Sequence, residues 1–249
     1  MFTIAASIGA VLAAPVVAGA VAYGVGAVGV TGTVATCKRP RHMLRTPDGK
    51  QLIVACGDDG KADVIDLATR KSVGKVPLGD DPEIFDVSPD GKTLYVSNEE
   101  DAELGVVDIA TKKRTGPVKV GQEPEGVKIS PDGKWVFVTS EVASMVHAVD
   151  AATGKVVKNI QVGKRPRRFA FNADASELWV SNELGASVSV ISVKDLAVTH
   201  TVKFEVKGMR ANDITPVGLL ISADGKTAYV SIEDESKIAA YDVASKKPQ

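Results

Sequence analysis

A 42-residue repeat constrains this chain before any chemistry is considered. Prolines open successive units at Pro40, Pro82, Pro124, Pro166 and Pro216, in steps of 42, 42, 42 and 50 residues. Turn pairs keep the same step: Asp48-Gly49, Asp90-Gly91, Asp132-Gly133, Asp174-Ala175 and Asp224-Gly225. So does a later position, held by Asp66, Asp108, Asp150, Ser192 and Asp242. Self-similarity at this period marks a stacked array of supersecondary units.

Each unit reads as four short β-rich runs. In the second, Pro82–Val87 is followed by Ser-Pro-Asp-Gly, then Thr93–Asn98, then Leu104–Asp108, then a short run to Val120. Strands and turns spaced this closely indicate an all-β array. No long apolar pattern of period 3.6 interrupts the repeats, which excludes helical repeats. In the turn, proline presets φ, Asp bonds its own backbone, and Gly takes a positive φ. Ala175 replaces that Gly in the fourth unit, a change costing roughly 1–2 kcal/mol if the turn is kept. The acids at Asp66, Asp108 and Asp150 precede Ala-Thr-Xaa-Lys or its near equivalents and read as Asx-type turns rather than as catalytic groups. One four-stranded sheet cannot bury both faces, but identical neighbours around an axis can, which predicts a β-propeller. Leu94, Val96, Val106 and Val107 would fill the space between blades. The units are 40–81, 82–123, 124–165 and 166–215, with a partial unit at 216–249, giving four to five blades and an incomplete ring.

The strand segments Leu94-Tyr95-Val96-Ser97-Asn98, Val136-Phe137-Val138-Thr139-Ser140 and Leu178-Trp179-Val180-Ser181-Asn182 resemble the Tyr-Val-Thr-Asn (YVTN) class of propeller repeats. There is no Gly-His…Trp-Asp pairing of the WD40 kind. Asp81-Pro82-Glu83-Ile84-Phe85, Glu123-Pro124-Glu125-Gly126-Val127 and Arg165-Pro166-Arg167-Arg168-Phe169 look like the PQQ-dependent catabolism-associated β-propeller branch. The resemblance covers residues 38–249, and the longer fourth unit falls where that branch is longer. It implies a periplasmic, seven-bladed, non-enzymatic propeller accessory to quinoprotein alcohol oxidation. A quinoprotein dehydrogenase or cytochrome c system would be its partner. It supplies no catalytic residue. Seven blades of this length need ~300 residues, so the chain reads as short by two or more.

Residues 2–36 carry no charged side chain. Three readings of segment 1–37 stay open. It is a secretory signal without the basic n-region, a membrane anchor followed by Lys38-Arg39-Pro40-Arg41, or a disrupted first blade. Membrane contact is expected only through this segment, and the anchor is the alternative to periplasmic location.

With 249 residues, one propeller-like domain is expected at 38–249. Thirty basic against 31 acidic side chains leave no basic excess for nucleic acid. Cys37 and Cys56 fall where other units carry Gly and Asn, so a disulfide, though permitted by an oxidising compartment, is not the expectation. His42, His147 and His200 lie in different units without ligand spacing, so no metal and no cofactor is expected. Gly24-Val25-Gly26-Ala27-Val28-Gly29 precedes no amphipathic helix and is not a dinucleotide loop.

Propellers bind at the mouth of the axial channel, where the innermost strands begin, an analogy from fold alone. The residues after the unit prolines are the candidates: Arg41, Glu83, Glu125, Arg167 and Val217, with Arg168 and Arg210 adding charge. No catalytic constellation accompanies them. Glu99, Glu141, Glu183 and Glu233 recur one residue after each strand motif and read as structural. The expected role is a binding or scaffold module. The alternatives are a lactonase-like propeller enzyme and a non-functional gene fragment.

Overall fold

The computed structural model describes the backbone of residues 3–4 and residues 32–206, 208–233 and 236–249. Most of the apolar segment 1–37 lies outside the described residues, and so do the readings that depend on it. Among the described residues, no helix is long and apolar enough to cross a membrane.

The repeat folds as five antiparallel sheets. Blade 1 comprises Pro40–Arg45, Gln51–Cys56, Lys61–Asp66 and Lys71–Pro77. Blade 3 (Pro124–Ile129, Trp135–Ser140, Met145–Asp150, Lys155–Gln161) and blade 4 (Pro166–Phe171, Glu177–Asn182, Ser187–Ser192, Ala197–Lys203) repeat that plan. Blade 2 opens with Pro82–Val87, Thr93–Asn98 and Glu103–Asp108. Its outer strand is split into Lys113–Arg114 and Val118–Lys119 by Gly116-Pro117, where proline has no N–H to give. Blade 5 has Pro216–Ile221, Thr227–Ile232 and Lys237–Asp242. The innermost strands pack one on the next in chain order, so the blades share an axis, and the ring they trace is incomplete.

Blade-to-blade packing is apolar. Ile53, Ala55, Ala62 and Val64 of blade 1 meet Phe85, Leu94, Val96 and Val107 of blade 2. Val106 faces the other way, toward blade 3. Trp179, Val188 and Val190 of blade 4 meet Ala228, Val230 and Ile232 of blade 5. The turns take the expected chemistry. The Ser88 hydroxyl and the Lys92 N–H both donate to Asp90, and Ala175 keeps the left-handed turn at φ 58°. Asp66, Asp108, Asp150 and Asp242 each accept two hydrogen bonds from the Thr or Ser three residues on. Those bonds hold their carboxyls below the usual range.

Cys37 and Cys56 form a disulfide with Cα atoms 5.7 Å apart, against the expectation from their repeat positions. The physical reason lies in those same positions. A Cβ on Gly79, Gly121 or Gly163 would run into Asn98, Ser140 or Asn182 respectively. The end of one unit therefore touches the second strand of the next, and at the first such junction the contact is covalent. A cross-link over 19 residues restricts the unfolded chain by roughly 3 kcal/mol. Replacing both cysteines by serine is expected to lower unfolding stability by about that amount. The urea midpoint of oxidised protein against the double variant checks it.

Candidate functional site

Every inner strand carries the same irregularity. Its pairing slips between the proline and the residue three on: Pro40/Met43, Pro82/Phe85, Pro124/Val127, Pro166/Phe169 and Pro216/Leu219. The two residues between are a bulge, which re-aims their side chains out of the ladder. The Ser or Thr of the second strand accepts the amide freed by the bulge. Ile84, Gly126, Arg168 and Gly218 N–H donate to Ser97, Thr139, Ser181 and Ser231. Ser97 and Ser181 also donate to the Glu125 and Val217 carbonyls of the following blade. That hydroxyl is the structural reason for the Thr or Ser in the Tyr-Val-Thr-Asn-like motif.

The bulges bring the charged candidates into two clusters. Across blades 1 and 2, Arg41 pairs with Glu83, whose side chain is 1% exposed. Arg39 reaches Asp58 (3.3 Å), Glu83 (3.4 Å) and Asp81. Across blades 3 and 4, Glu125 meets Arg168 at 2.5 Å and Arg167 at 3.3 Å. Glu141 pairs with Arg165 (2.7 Å) and with Arg167. Glu183 lies 3.4 Å from both arginines. Burial pushes the Glu83 carboxyl up, the neighbouring Glu125 charge adds to this, and Arg41 opposes it. Glu141 is raised by burial against the pull of Arg167 and Arg165. Burial would lower the Arg167 guanidinium, but Glu125, Glu141 and Glu183 together hold it above its usual value.

Five sequence candidates, Arg41, Glu83, Glu125, Arg167 and Arg168, thus sit in this network. Val217 contributes only its carbonyl. Arg210 turns to Asp213 at 2.8 Å in the exposed insert of blade 4 rather than adding charge at the mouth. Arg39, Arg165, Glu141 and Glu183 belong to the network but were not among the candidates. The signal for them was available. The second strand runs antiparallel to the first, so the residue just after it and the residue before the next proline return to the same end.

Asp81, Glu83 and Glu99 bring carboxylate oxygens within 4.8 Å of one another, but Arg39 and Arg41 already engage Asp81 and Glu83. Burial, helped by Glu125, Glu141 and Glu123, raises Glu99. The histidines remain apart. Burial, then the Arg168 charge, lowers His42 to about 4, so it is neutral at pH 7 and rests edge-on against Phe85. His147 is buried, with Nδ1 2.8 Å from Asn159 and Nε2 accepting the Gly121 N–H. His200 is exposed.

Among the described residues, two hollows lie at the ends of the inner strands. At the mouth, about 600 Å³ is bounded by Glu123, Glu141, Lys164 and Arg165, with exposed Val142 and Leu184 on the rim. Where the inner strands end, about 460 Å³ is walled by Ile129, Phe169, Phe171 and Leu219, with the Lys128–Asp86 ion pair (3.0 Å) beside it.

Two protein families match parts of the chain. The family described as lactonase, 7-bladed β-propeller, matches residues 150–249. The cytochrome D1 heme domain family matches residues 87–168. Comparison with curated proteins gives no match. Among solved structures, hydrazine synthase of Kuenenia stuttgartiensis superposes with a TM-score of 0.67 at 22% identity, covering 88% of this chain and 80% of that one. A functionally unknown protein from Desulfotomaculum acetoxidans DSM 771 gives 0.73 at 15% identity, covering 88% and 71%. Both likenesses are of fold. The two family matches overlap only over residues 150–168, so different propeller families each match a different run of blades.

Proposed function

We propose that this chain is a non-enzymatic binding propeller. The observation carrying this reading is that the buried acids at the mouth are paired. Glu83, Glu125 and Glu141 each face an arginine of the adjoining blade, Arg41, Arg168 and Arg167 respectively. A general acid or base must be free to reach a substrate proton, whereas these carboxylates bind blade to blade. The hollow beside Glu141 and Arg165, with Val142 and Leu184 exposed at its rim, is the surface offered to a partner.

The partner class follows from the motif resemblance: a quinoprotein dehydrogenase or a cytochrome c in the periplasm. The matches to a haem-domain propeller and to hydrazine synthase lend this support from redox systems. The Cys37–Cys56 disulfide agrees with an oxidising compartment. Haem ligation by the chain itself is a poorer fit. His147 is the one histidine in residues 87–168, and both its ring nitrogens are engaged.

The lactonase match over residues 150–249 favours a second reading, a lactone-hydrolysing enzyme. Purified protein assayed on aliphatic and sugar lactones decides between them. Hydrolysis at the uncatalysed rate, unchanged in Glu83→Gln and Glu125→Gln, is expected. Turnover that either substitution abolishes while the fold persists would replace the binding reading with the enzymatic one.

A further inference from the structure

The hollow where the inner strands end is walled by apolar groups of adjoining blades: Ile129 of blade 3, Phe169 and Phe171 of blade 4, and Leu219 of blade 5. Phe171 rests edge-on against Phe137, and Leu219 packs on the core between blades 4 and 5. Contacts between blades therefore fix these walls, yet Phe169 and Phe171 remain only half-buried. At about 460 Å³ the hollow has the size of a small-molecule site, roughly 300–1,000 Å³, mostly apolar with a few polar groups that fix orientation.

The polar group here is Lys128. The repeat places Leu44, Asp86, Ala170 and Leu220 at the matching positions, so the strand geometry does not call for a lysine. Its ammonium faces Asp86 at 3.0 Å, and its side chain is 37% exposed. Asp86 is occupied by the fold, because its carboxylate also accepts the Val87 and Ile129 N–H. An ammonium has three donors, so Lys128 keeps donors for the hollow. The surrounding charge points the same way. After burial, the Arg168 charge does most to lower His42, and Lys128 adds to it against Asp86. Blades 3 and 4, each with a neighbour on both sides, supply the lysine and both aromatic rings.

We propose that this hollow binds a small carboxylate with an apolar body, the head group on Lys128 and the body against Phe169, Phe171 and Ile129. A carboxylate accepts charge-assisted hydrogen bonds from the ammonium, and the walls take apolar surface out of water. A ligand cation has no acid to meet, since Asp86 is already shared between Lys128 and two backbone amides. The site lies at the opposite end of the inner strands from the hollow offered to a protein partner and does not rest on that reading.

Nuclear magnetic resonance titration of the whole chain near neutral pH, with phenylacetate and with octanoate, tests this. Saturable shifts of the Lys128 side chain and the His42 ring are expected, with a dissociation constant on the order of 1 mM. The exposed His200 ring should not move. Phenylacetamide keeps the body and loses the charge, and should bind roughly tenfold more weakly than phenylacetate. Acetate keeps the charge and loses the body, and should not saturate. Lys128→Gln should abolish binding of both acids and Lys128→Arg should retain it, each with unchanged circular dichroism. Saturation by either acid supports the proposal, and the tighter of the two gives the shape of the body. Three results overturn it: neither acid saturating, shifts confined to Lys164 and Arg165 at the mouth, or phenylacetamide binding as well as phenylacetate. The last needs no variant, so it stands whether or not Lys128→Gln folds.

Discussion

Glu125→Ala is expected to destabilise the protein by about 3–5 kcal/mol, more than ordinary surface changes by a wide margin. The Glu125 side chain is 4% exposed, and its carboxylate lies 2.5 Å from Arg168 and 3.3 Å from Arg167. Both arginines belong to the next blade, so the bond holds two repeats together across the channel mouth. Removing the acid strands positive charge where water reaches it poorly. Arg167 keeps Glu141 and Glu183. Among the described residues Arg168 has no other acid within ion-pair distance and is 30% exposed, which places the cost toward the lower end. The discriminating control is Glu125→Met with Arg168→Met. Removing both charges of a buried pair costs far less than removing one, so the double variant should recover most of the loss. Urea unfolding of the three proteins measures this. Equal losses in the single and double variants would show that packing, not charge, is what Glu125 provides.

The sequence carried the stacking of blades clearly because the period survives in the residues with the strictest backbone demands. Proline opens the inner strand, Asp-Gly closes the first hairpin, and an Asx turn closes the next. What it hid were contacts between units. Cys37 and Cys56 were set against pairing because Gly79 and Asn98 hold the matching positions, yet Gly79 packs on Asn98 in space. Comparing repeats along the chain gave the correspondence; only laying one repeat on the next gives the neighbour. The charged mouth shows the same division. Arg41, Glu83, Glu125, Arg167 and Arg168 were legible from their place after the prolines. Arg39, Arg165 and Glu141 are legible only once the strand register is laid out, because they reach the mouth from the preceding loop and from the end of a strand returning to it. Blade 5 marks a further limit. Tyr229 and Ile238 continue the pattern of Trp179 and Val188, and the pattern is silent about which copy of the face is covered.

That asymmetry gives the other large effect. Trp179→Ala is expected to cost about 3–5 kcal/mol and to loosen blade 5 before the rest. Trp179 is fully buried among Val188, Val190, Ala228, Val230 and Ile232. Lys246 of blade 5 lies 5.1 Å from its ring centroid and pairs with Glu177 at 2.6 Å. Among the described residues, blades 2, 3 and 4 are each held on two sides and blade 5 is held by blade 4. In a stacked array, stability is close to a sum of repeat and nearest-neighbour terms, so weakening one interface releases the unit with no second neighbour. Hydrogen exchange should therefore show the amides of Thr227–Ile232 losing protection at lower urea than those of Thr93–Asn98 or Trp135–Ser140. The gap should be larger in the variant than in the parent protein. Simultaneous loss of protection in all three strands would mean that the array unfolds as one unit, and that the interface at Trp179 is no weaker a link than those between the inner blades.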